Sequence, residues 1–141
     1  MIWKQVPNLE ILQEMSKNTL IEHLGIEITE IGDDFLRAKM PVDHRTTQPD
    51  GILHGGASAA LAESMGSFAS HLMLGDLDKQ AIVGIEINAN HLSAVRSGFV
   101  EAVVRPIRIG RTVQVWDILI TQASKKICIS RLTTMTINKK Q

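Results

Sequence analysis

The sequence has one cysteine, no tyrosine, no surplus of charge of either sign and no long apolar run. Each shortage narrows the possibilities. The lone Cys128 cannot form an internal disulfide, so a reducing compartment is the simplest setting. Met1-Ile2-Trp3-Lys4-Gln5 opens without the apolar stretch of a secretory leader. Together these make a cytoplasmic location the expectation. No stretch nears the roughly 18 apolar residues that read as a membrane-spanning helix, so no membrane partner is expected. Lysine plus arginine and aspartate plus glutamate each number 15, for a formal net charge of zero. Broad attraction to nucleic acid or an anionic membrane is therefore not expected, and an anionic ligand must be met by a local patch.

What is present is the composition of an ordinary globule. Apolar residues make up 44% of the 141 and charged residues 21%. That suits one core and is too apolar for disorder. No repeat, low-complexity stretch or linker breaks the chain, so a single domain over 1–141 is expected.

The pattern of residues gives an order of elements. Asn8 can cap a short helix over Leu9–Ser16, and Thr19–Leu24 adds a helical turn or two stopped by Gly25. Gly25–Ile31 and Phe35–Met40 read as paired strands around a Gly32-Asp33-Asp34 turn, because Leu36, Ala38 and Met40 alternate with Arg37 and Lys39. Pro41–Leu53 is a polar loop. From His54 to Leu74 the period becomes helical, with Leu61, Met65, Phe68 and Leu72 forming one apolar stripe. Four strands follow: Ala81–Asn88, Gly98–Ile109, Thr112–Thr121 and Lys126–Ile137. Gly110-Arg111 and Ala123-Ser124-Lys125 are the turns between them. The strands are grouped rather than alternating with helices, so the class is α+β. A six-stranded antiparallel sheet curling round the long helix would bury its stripe.

The other face of that helix carries Ala59, Glu63, Gly66, Ser67 and Ser70. Most are small, so another surface could approach. Glu63 alone is an ordinary solvated glutamate, with Ser67 one turn along on the same side. The residues just upstream give it context. Gln48-Pro49-Asp50-Gly51-Ile52-Leu53-His54-Gly55-Gly56 runs straight into the helix start. A helix start has unpaired N–H groups and partial positive charge, and glycine lets a ligand come close. That suits a carbonyl oxygen turning anionic during acyl transfer. Gly55-Gly56 also reads as a tight loop-to-helix turn, and His54 as a cap.

The segment Gln48–Glu63, read as Gln-Pro-x-Gly-x-Leu-His-Gly-Gly-x-Ser-x-x-Leu-Ala-Glu, resembles the signature of hotdog-fold acyl-CoA thioesterases. Met40-Pro41-Val42-Asp43, Glu86-Ile87-Asn88-Ala89-Asn90-His91 and Gln114-Val115-Trp116 extend the likeness over nearly the whole chain. They point to the branch that includes 1,4-dihydroxy-2-naphthoyl-CoA hydrolase, of menaquinone and phylloquinone synthesis. The hotdog fold is a curved sheet wrapped around one long helix. The resemblance implies Glu63 as general base on water or as nucleophile at the thioester carbonyl. It implies the Gly55 amide as the group polarising that carbonyl. Gln48 would position the reacting groups, His54 would support the loop and the thioester end, and Ser67 would assist the water or Glu63. CoA would be held by segments matching Gly84, His91-Leu92-Ser93-Ala94 and Arg108-Ile109-Gly110-Arg111-Thr112-Val113. The resemblance further implies a homodimer with shared sites, paired into a homotetramer, and no cofactor beyond the CoA of the substrate.

Arginine supports that CoA reading on its own chemistry. Arg105, Arg108 and Arg111 cluster in one strand and turn, Arg96 precedes another strand, and guanidinium forks match phosphate geometry. The same residues also read as solvated strand-edge charge. Asp50, Phe68 and His71 are candidates for the acyl pocket. Asp50 stands where close relatives carry Phe, and His71 where Tyr is common. The acyl group thus stays open between an aromatic naphthoyl or benzoyl type and a medium-chain or hydroxylated one.

Other chemistries fit less well. Gly56-Ala57-Ser58-Ala59-Ala60 lacks the final glycine and preceding strand of a serine-hydrolase elbow. His44, His54, His71 and His91 have no metal-ligand spacing, so no metal is expected. No P-loop or dinucleotide glycine motif follows a strand. Cys128 lies in a strand run and reads as core. Two rivals remain on the same fold: a dehydratase or hydratase of hydroxyacyl thioesters, and a non-catalytic acyl-CoA-binding module.

Overall fold

The structure is a computed structural model and describes residues 1–140. Two short helices lead the chain, α1 (Leu9–Met15) and α2 (Leu20–His23). Asn8 Oδ1 accepts the Ile11 N–H at 3.1 Å and Thr19 Oγ1 accepts the Ile21 N–H at 3.2 Å, so each helix start has its side-chain cap. Gly25 follows α2 at φ +72°, a left-handed conformation that glycine adopts at little cost.

The strands are β1 (Glu27–Ile31), β2 (Leu36–Pro41), β3 (Gln80–His91), β4 (Phe99–Ile109), β5 (Val113–Gln122) and β6 (Lys125–Asn138). They form one antiparallel sheet in the order β1-β2-β4-β5-β6-β3. Helix α3 (Gly55–Leu72) lies against its concave face. This is the hotdog arrangement that the sequence predicts. Strand β3 runs three residues beyond the expected Asn88. Asn88-Ala89-Asn90 is poor in strand-forming residues, but pairing with Arg131, Ser130 and Ile129 holds it extended. The β5–β6 turn is tighter than expected: Ala123 and Ser124, at φ +47° and +67°, make the two-residue connection alone.

The stripe of α3 is the centre of the core. Leu61 and Met65 are fully buried, and Phe68 and Leu72 nearly so. They meet inward residues of the sheet, among them Val100, Val104, Trp116, Ile118 and Leu132. Each such side chain stabilises the fold by about 1.5–3 kcal/mol when removed from water. Trp3 stacks on Trp116 with ring centroids 6.3 Å apart, and its indole N–H donates to the Gly32 carbonyl at 2.7 Å. The amino-terminal segment thus closes one side of the core.

The opposite face of α3 is less open than its small residues suggest. Ala59, Glu63 and Ser67 reach the surface, but Gly66 and Ser70 are buried. The sheet curls far enough for β6 to cover them. A β-carbon on Gly66 would fall 2.5 Å from Leu132 Cδ2. Ser70 Oγ lies 2.6 Å from Thr134 Oγ1 and accepts the Trp116 indole N–H at 2.7 Å. These two residues are structural. Among the described residues no helix is long and apolar enough to cross a membrane.

Candidate active site

The loop before α3 is tied down residue by residue. Thr46 Oγ1 donates to the Pro41 carbonyl at 2.7 Å and accepts the Asp43 N–H at 3.1 Å. The Asp43 carboxylate takes the N–H, Nε and Nη2 of Arg45, and this pairing holds its pKa down to about 2. A bridge between Thr47 and Leu53 brackets the turn headed by Gln48. Gly51 sits in that turn at φ +78°, with its N–H on the Gln48 carbonyl at 2.9 Å. The His54 N–H then bonds the Thr46 carbonyl at 2.8 Å.

That anchoring fixes the helix start. His54 is its cap: Nδ1 accepts the Gly56 N–H at 2.7 Å, and its carbonyl accepts from Ala57 and Ser58. The Gly55 N–H has no protein acceptor among the described residues. It is the free donor of the first turn. Gly55 also touches the His91 ring, since a β-carbon there would fall 2.7 Å from His91 Nε2. Gln48, Leu53, Gly55, Ser58 and His91-Leu92-Ser93-Ala94 line a pocket of about 360 Å³ around this donor.

Glu63 opens on a different pocket, of about 400 Å³. Ser67, Phe68 and His71 share it, and the remaining wall is largely apolar: Met15, Ile21, Leu74, Leu77 and Ile82. Strand β3 passes close by. A β-carbon on Gly84 would come 3.0 Å from Glu63 Oε1, next to a break in the β3–β6 register between Gly84 and Glu86. Burial lowers the pKa of His71, and the Lys139 ammonium lowers it further.

The predicted site residues therefore fall into separate groups. Gln48, Gly55, His54 and His91–Ala94 gather at the start of α3. Glu63, Ser67, Phe68, His71 and Gly84 gather at its middle and far half. Gly55 and Glu63 stand eight residues apart on one helix, about 12 Å along its axis. Within one chain the two line different pockets. Asp50 is exposed on the loop, where its carbonyl accepts from Arg96 Nη1 at 3.4 Å, and it does not line the pocket of Phe68 and His71.

The arginines divide as well. Arg105 is spent locally, bonded to Asp34 Oδ1 at 2.9 Å and 4.7 Å over the Phe35 ring. Arg108 and Arg111 are exposed on the β4–β5 hairpin, where Val113 is in register with Met135, and Met135 with Val83. His91 pairs with Cys128 at the other end of β3. Eight residues of strand put these ends about 26 Å apart.

Cys128 is fully buried and burial raises its pKa, which makes it a poor nucleophile. Among the described residues no group of three or more His, Cys, Asp or Glu is placed to hold a metal ion. Sequence reading missed Met15, Ile21, Leu74, Ile82 and Lys139 as lining of the Glu63 pocket. They come from five separate segments and carry no local signal.

The sequence model of the thioesterase superfamily matches residues 50–129. This chain belongs to the thioesterase superfamily. The thioesterase is 53% identical over 135 residues to the proofreading thioesterase EntH of Cronobacter turicensis, covering 95% of this chain and 97% of the relative. A solved Pseudomonas aeruginosa thioesterase, carrying a glutamine-to-alanine substitution, is 48% identical with a TM-score of 0.95, over 99% of this chain and 100% of that one. A Staphylococcus aureus thioesterase is 35% identical. It has been solved with a glutamate-to-alanine change (TM-score 0.82, over 85% of this chain and 99% of that one) and with a glutamine-to-alanine change (TM-score 0.79, over 83% and 97%). This thioesterase is accordingly a thioester hydrolase of hotdog fold.

Proposed function

We propose that this thioesterase hydrolyses acyl-CoA to free acid and CoA, with Glu63 as general base and the Gly55 N–H as oxyanion donor, in a site completed by a second copy of the chain. The observation that carries the reading is the separation of two half-sites on α3. One holds a carboxylate in a largely apolar pocket; the other holds a free helix-start N–H. Acyl transfer needs both at one carbonyl. In the Staphylococcus aureus relative the replaced glutamine and glutamate stand fifteen residues apart, as Gln48 and Glu63 do here. That supports the same pair as functional in this chain.

Strand β3 supplies the surface for the second copy. It is a twelve-residue sheet edge, with Val83 38% and Ile85 53% exposed. A long edge with apolar side chains invites strand pairing. Joining two β3 strands antiparallel makes one continuous sheet and sets one copy's Glu63 and Ser67 toward the other's Gln48 and Gly55. It also carries one copy's Arg108–Val113 hairpin toward the other's His91–Ala94, uniting the two CoA-binding segments. Two such dimers make the tetramer that the resemblance implies.

The chemistry closes without a cofactor. Glu63 takes a proton from water, and the resulting hydroxide attacks the thioester carbon. The carbonyl electrons move to an oxyanion held by the Gly55 N–H. Collapse expels the CoA thiolate, and the proton on Glu63 passes to it. Direct attack by the carboxylate, giving an anhydride, is the other route open to Glu63. Gln48 orients the groups through its amide, and His54 holds the helix start. The acyl group lies along Phe68 and His71, with Asp50 contributed from the partner's loop. The apolar wall can take either a medium-chain acyl group or an aromatic one of the naphthoyl or benzoyl type. Likeness to a proofreading thioesterase favours the clearing of unwanted thioesters over a dedicated step of menaquinone synthesis.

The test is thiol release from a panel of acyl-CoA thioesters by wild type and Glu63→Gln. The amide cannot act as base, and a loss of about 10²–10⁴ in kcat with CoA binding retained is expected. Near-normal turnover by the variant removes Glu63 from the mechanism. An enoyl thioester as product would instead favour a dehydratase, and binding without turnover an acyl-CoA-binding module.

A further inference from the structure

The pocket at Glu63 is lined asymmetrically. Its walls are apolar, but the end remote from Glu63 is not. His71 lies two helical turns beyond Glu63, about 12 Å along the axis of α3. The imidazole is half-buried, and neither ring nitrogen has a protein partner among the described residues. Its nitrogens are thus open to water or to whatever fills the pocket. Lys139 reaches the same end from beyond β6. Its Nζ donates to the Leu77 carbonyl at 2.5 Å, which fixes the ammonium at the rim and leaves two of its donors without an acceptor among the described residues. Gln80 also lines this end, but its Oε1 is occupied by the Gly75 and Asp76 N–H groups. The pocket thus runs from a carboxylate, along apolar walls, to a histidine and a lysine.

We infer that His71 and Lys139 form a polar end-wall that selects medium-chain acyl groups tipped by an oxygen function, a carboxylate or a hydroxyl. The inference rests on the catalytic reading given above, since it takes the acyl group to lie along α3 from Glu63 toward His71. An unsubstituted alkyl tip would take water from the His71 nitrogens and crowd the Lys139 ammonium with no bond in return, which costs what an oxygen at that position regains. The neutral imidazole can donate to either oxygen function. Lys139 distinguishes them, because its charge favours a carboxylate above a hydroxyl.

The experiment measures kcat/KM for octanoyl-CoA, ω-hydroxyoctanoyl-CoA and suberyl-CoA, with wild type, His71→Phe and Lys139→Met. Wild type is expected to prefer suberyl-CoA over octanoyl-CoA by about tenfold or more, the worth of one charge-assisted hydrogen bond, and ω-hydroxyoctanoyl-CoA by about fivefold, the worth of a neutral one. His71→Phe should bring the hydroxyoctanoyl ratio close to one and lower the suberyl ratio to what Lys139 alone supplies. Lys139→Met should lower the suberyl ratio and leave the hydroxyoctanoyl ratio largely in place. Lys139 is exposed, so this variant keeps its fold whatever happens to His71→Phe. Equal kcat/KM for octanoyl-CoA and its oxygen-tipped forms in wild type would overturn the inference, as would a preference that survives both substitutions. Failure of the underlying reading looks different. In that case Glu63→Gln turns over octanoyl-CoA as wild type does.

Discussion

Gly84 is the neighbour that gives the Glu63 carboxylate its room: a β-carbon added there would stand 3.0 Å from Glu63 Oε1. Glycine weakens a strand, and in a strand it commonly marks a close approach. Gly84→Val should therefore separate function from stability. Valine suits a strand, so the melting temperature should hold or rise. Its branches push the carboxylate out of line, and a misplacement of this size is expected to cost about 10²-fold in kcat/KM. Kinetics beside thermal melts decide the matter. Unchanged kinetics would mean that Glu63 does not work from this position.

The half-sites on α3 give a test of assembly. Gly55 is the first residue of the helix, where proline is tolerated because its missing N–H has no helical partner. His54, at φ −68° and ψ 130°, already has the extended conformation that a following proline requires. Gly55→Pro thus removes the proposed oxyanion donor and keeps the helix, with the exposed His91 ring turning aside from the new β-carbon. Gly55→Pro and Glu63→Gln should each be nearly inactive. Co-refolded in equal amounts, they should recover about a quarter of wild-type activity, because half the dimers are mixed and one of their two sites is intact. A mixture that stays inactive would place the whole site in one chain.

Ser70 tests the reassigned face of α3. Its Oγ takes the Trp116 indole N–H at 2.7 Å in a fully buried position. Ser70→Ala leaves that donor and the Thr134 hydroxyl short of a partner, at a cost of about 1–3 kcal/mol. Urea denaturation followed by tryptophan fluorescence should show the earlier midpoint, while kcat/KM stays near wild type.

Local signals in the sequence were enough for the elements, because caps and periods are local. Asn8, Thr19 and Gly25 mark helix ends by their own chemistry, and Leu61, Met65, Phe68 and Leu72 declare the buried stripe by spacing. The Gln48–Glu63 segment is contiguous, so its relation to the helix start could also be read. Curvature could not. Whether Ser70 faces solvent or Thr134 depends on how far β6 wraps, and no residue near Ser70 records that. The same holds for Lys139, which joins His71 only because β6 and the end of α3 meet in space. Arg105 was grouped with Arg108 and Arg111 by position in the chain, yet alternation along β4 and the reach of Asp34 took it elsewhere.

His71 yields a prediction in pH. Burial disfavours its imidazolium, and Lys139 adds repulsion, so its pKa in the folded chain lies below the ordinary 6.5. Glu63 faces the same pocket from the other end and Gln80 is uncharged, so Lys139 is the near charge. Between 6.5 and the lower folded value, the unfolded chain binds the proton that the folded chain refuses. Stability from this group is fully present above pH 6.5 and falls as the pH drops through that window. The melting temperature of wild type should fall more steeply than that of His71→Phe as the pH is lowered below 6.5, and parallel curves would contradict the assignment. Lys139→Met should raise the His71 pKa only part of the way, since burial is the larger cause. The imidazole C–H resonances in a proton NMR titration report that value directly. Full recovery to the ordinary value would make the lysine the dominant influence and leave the pocket end wetter than its lining implies.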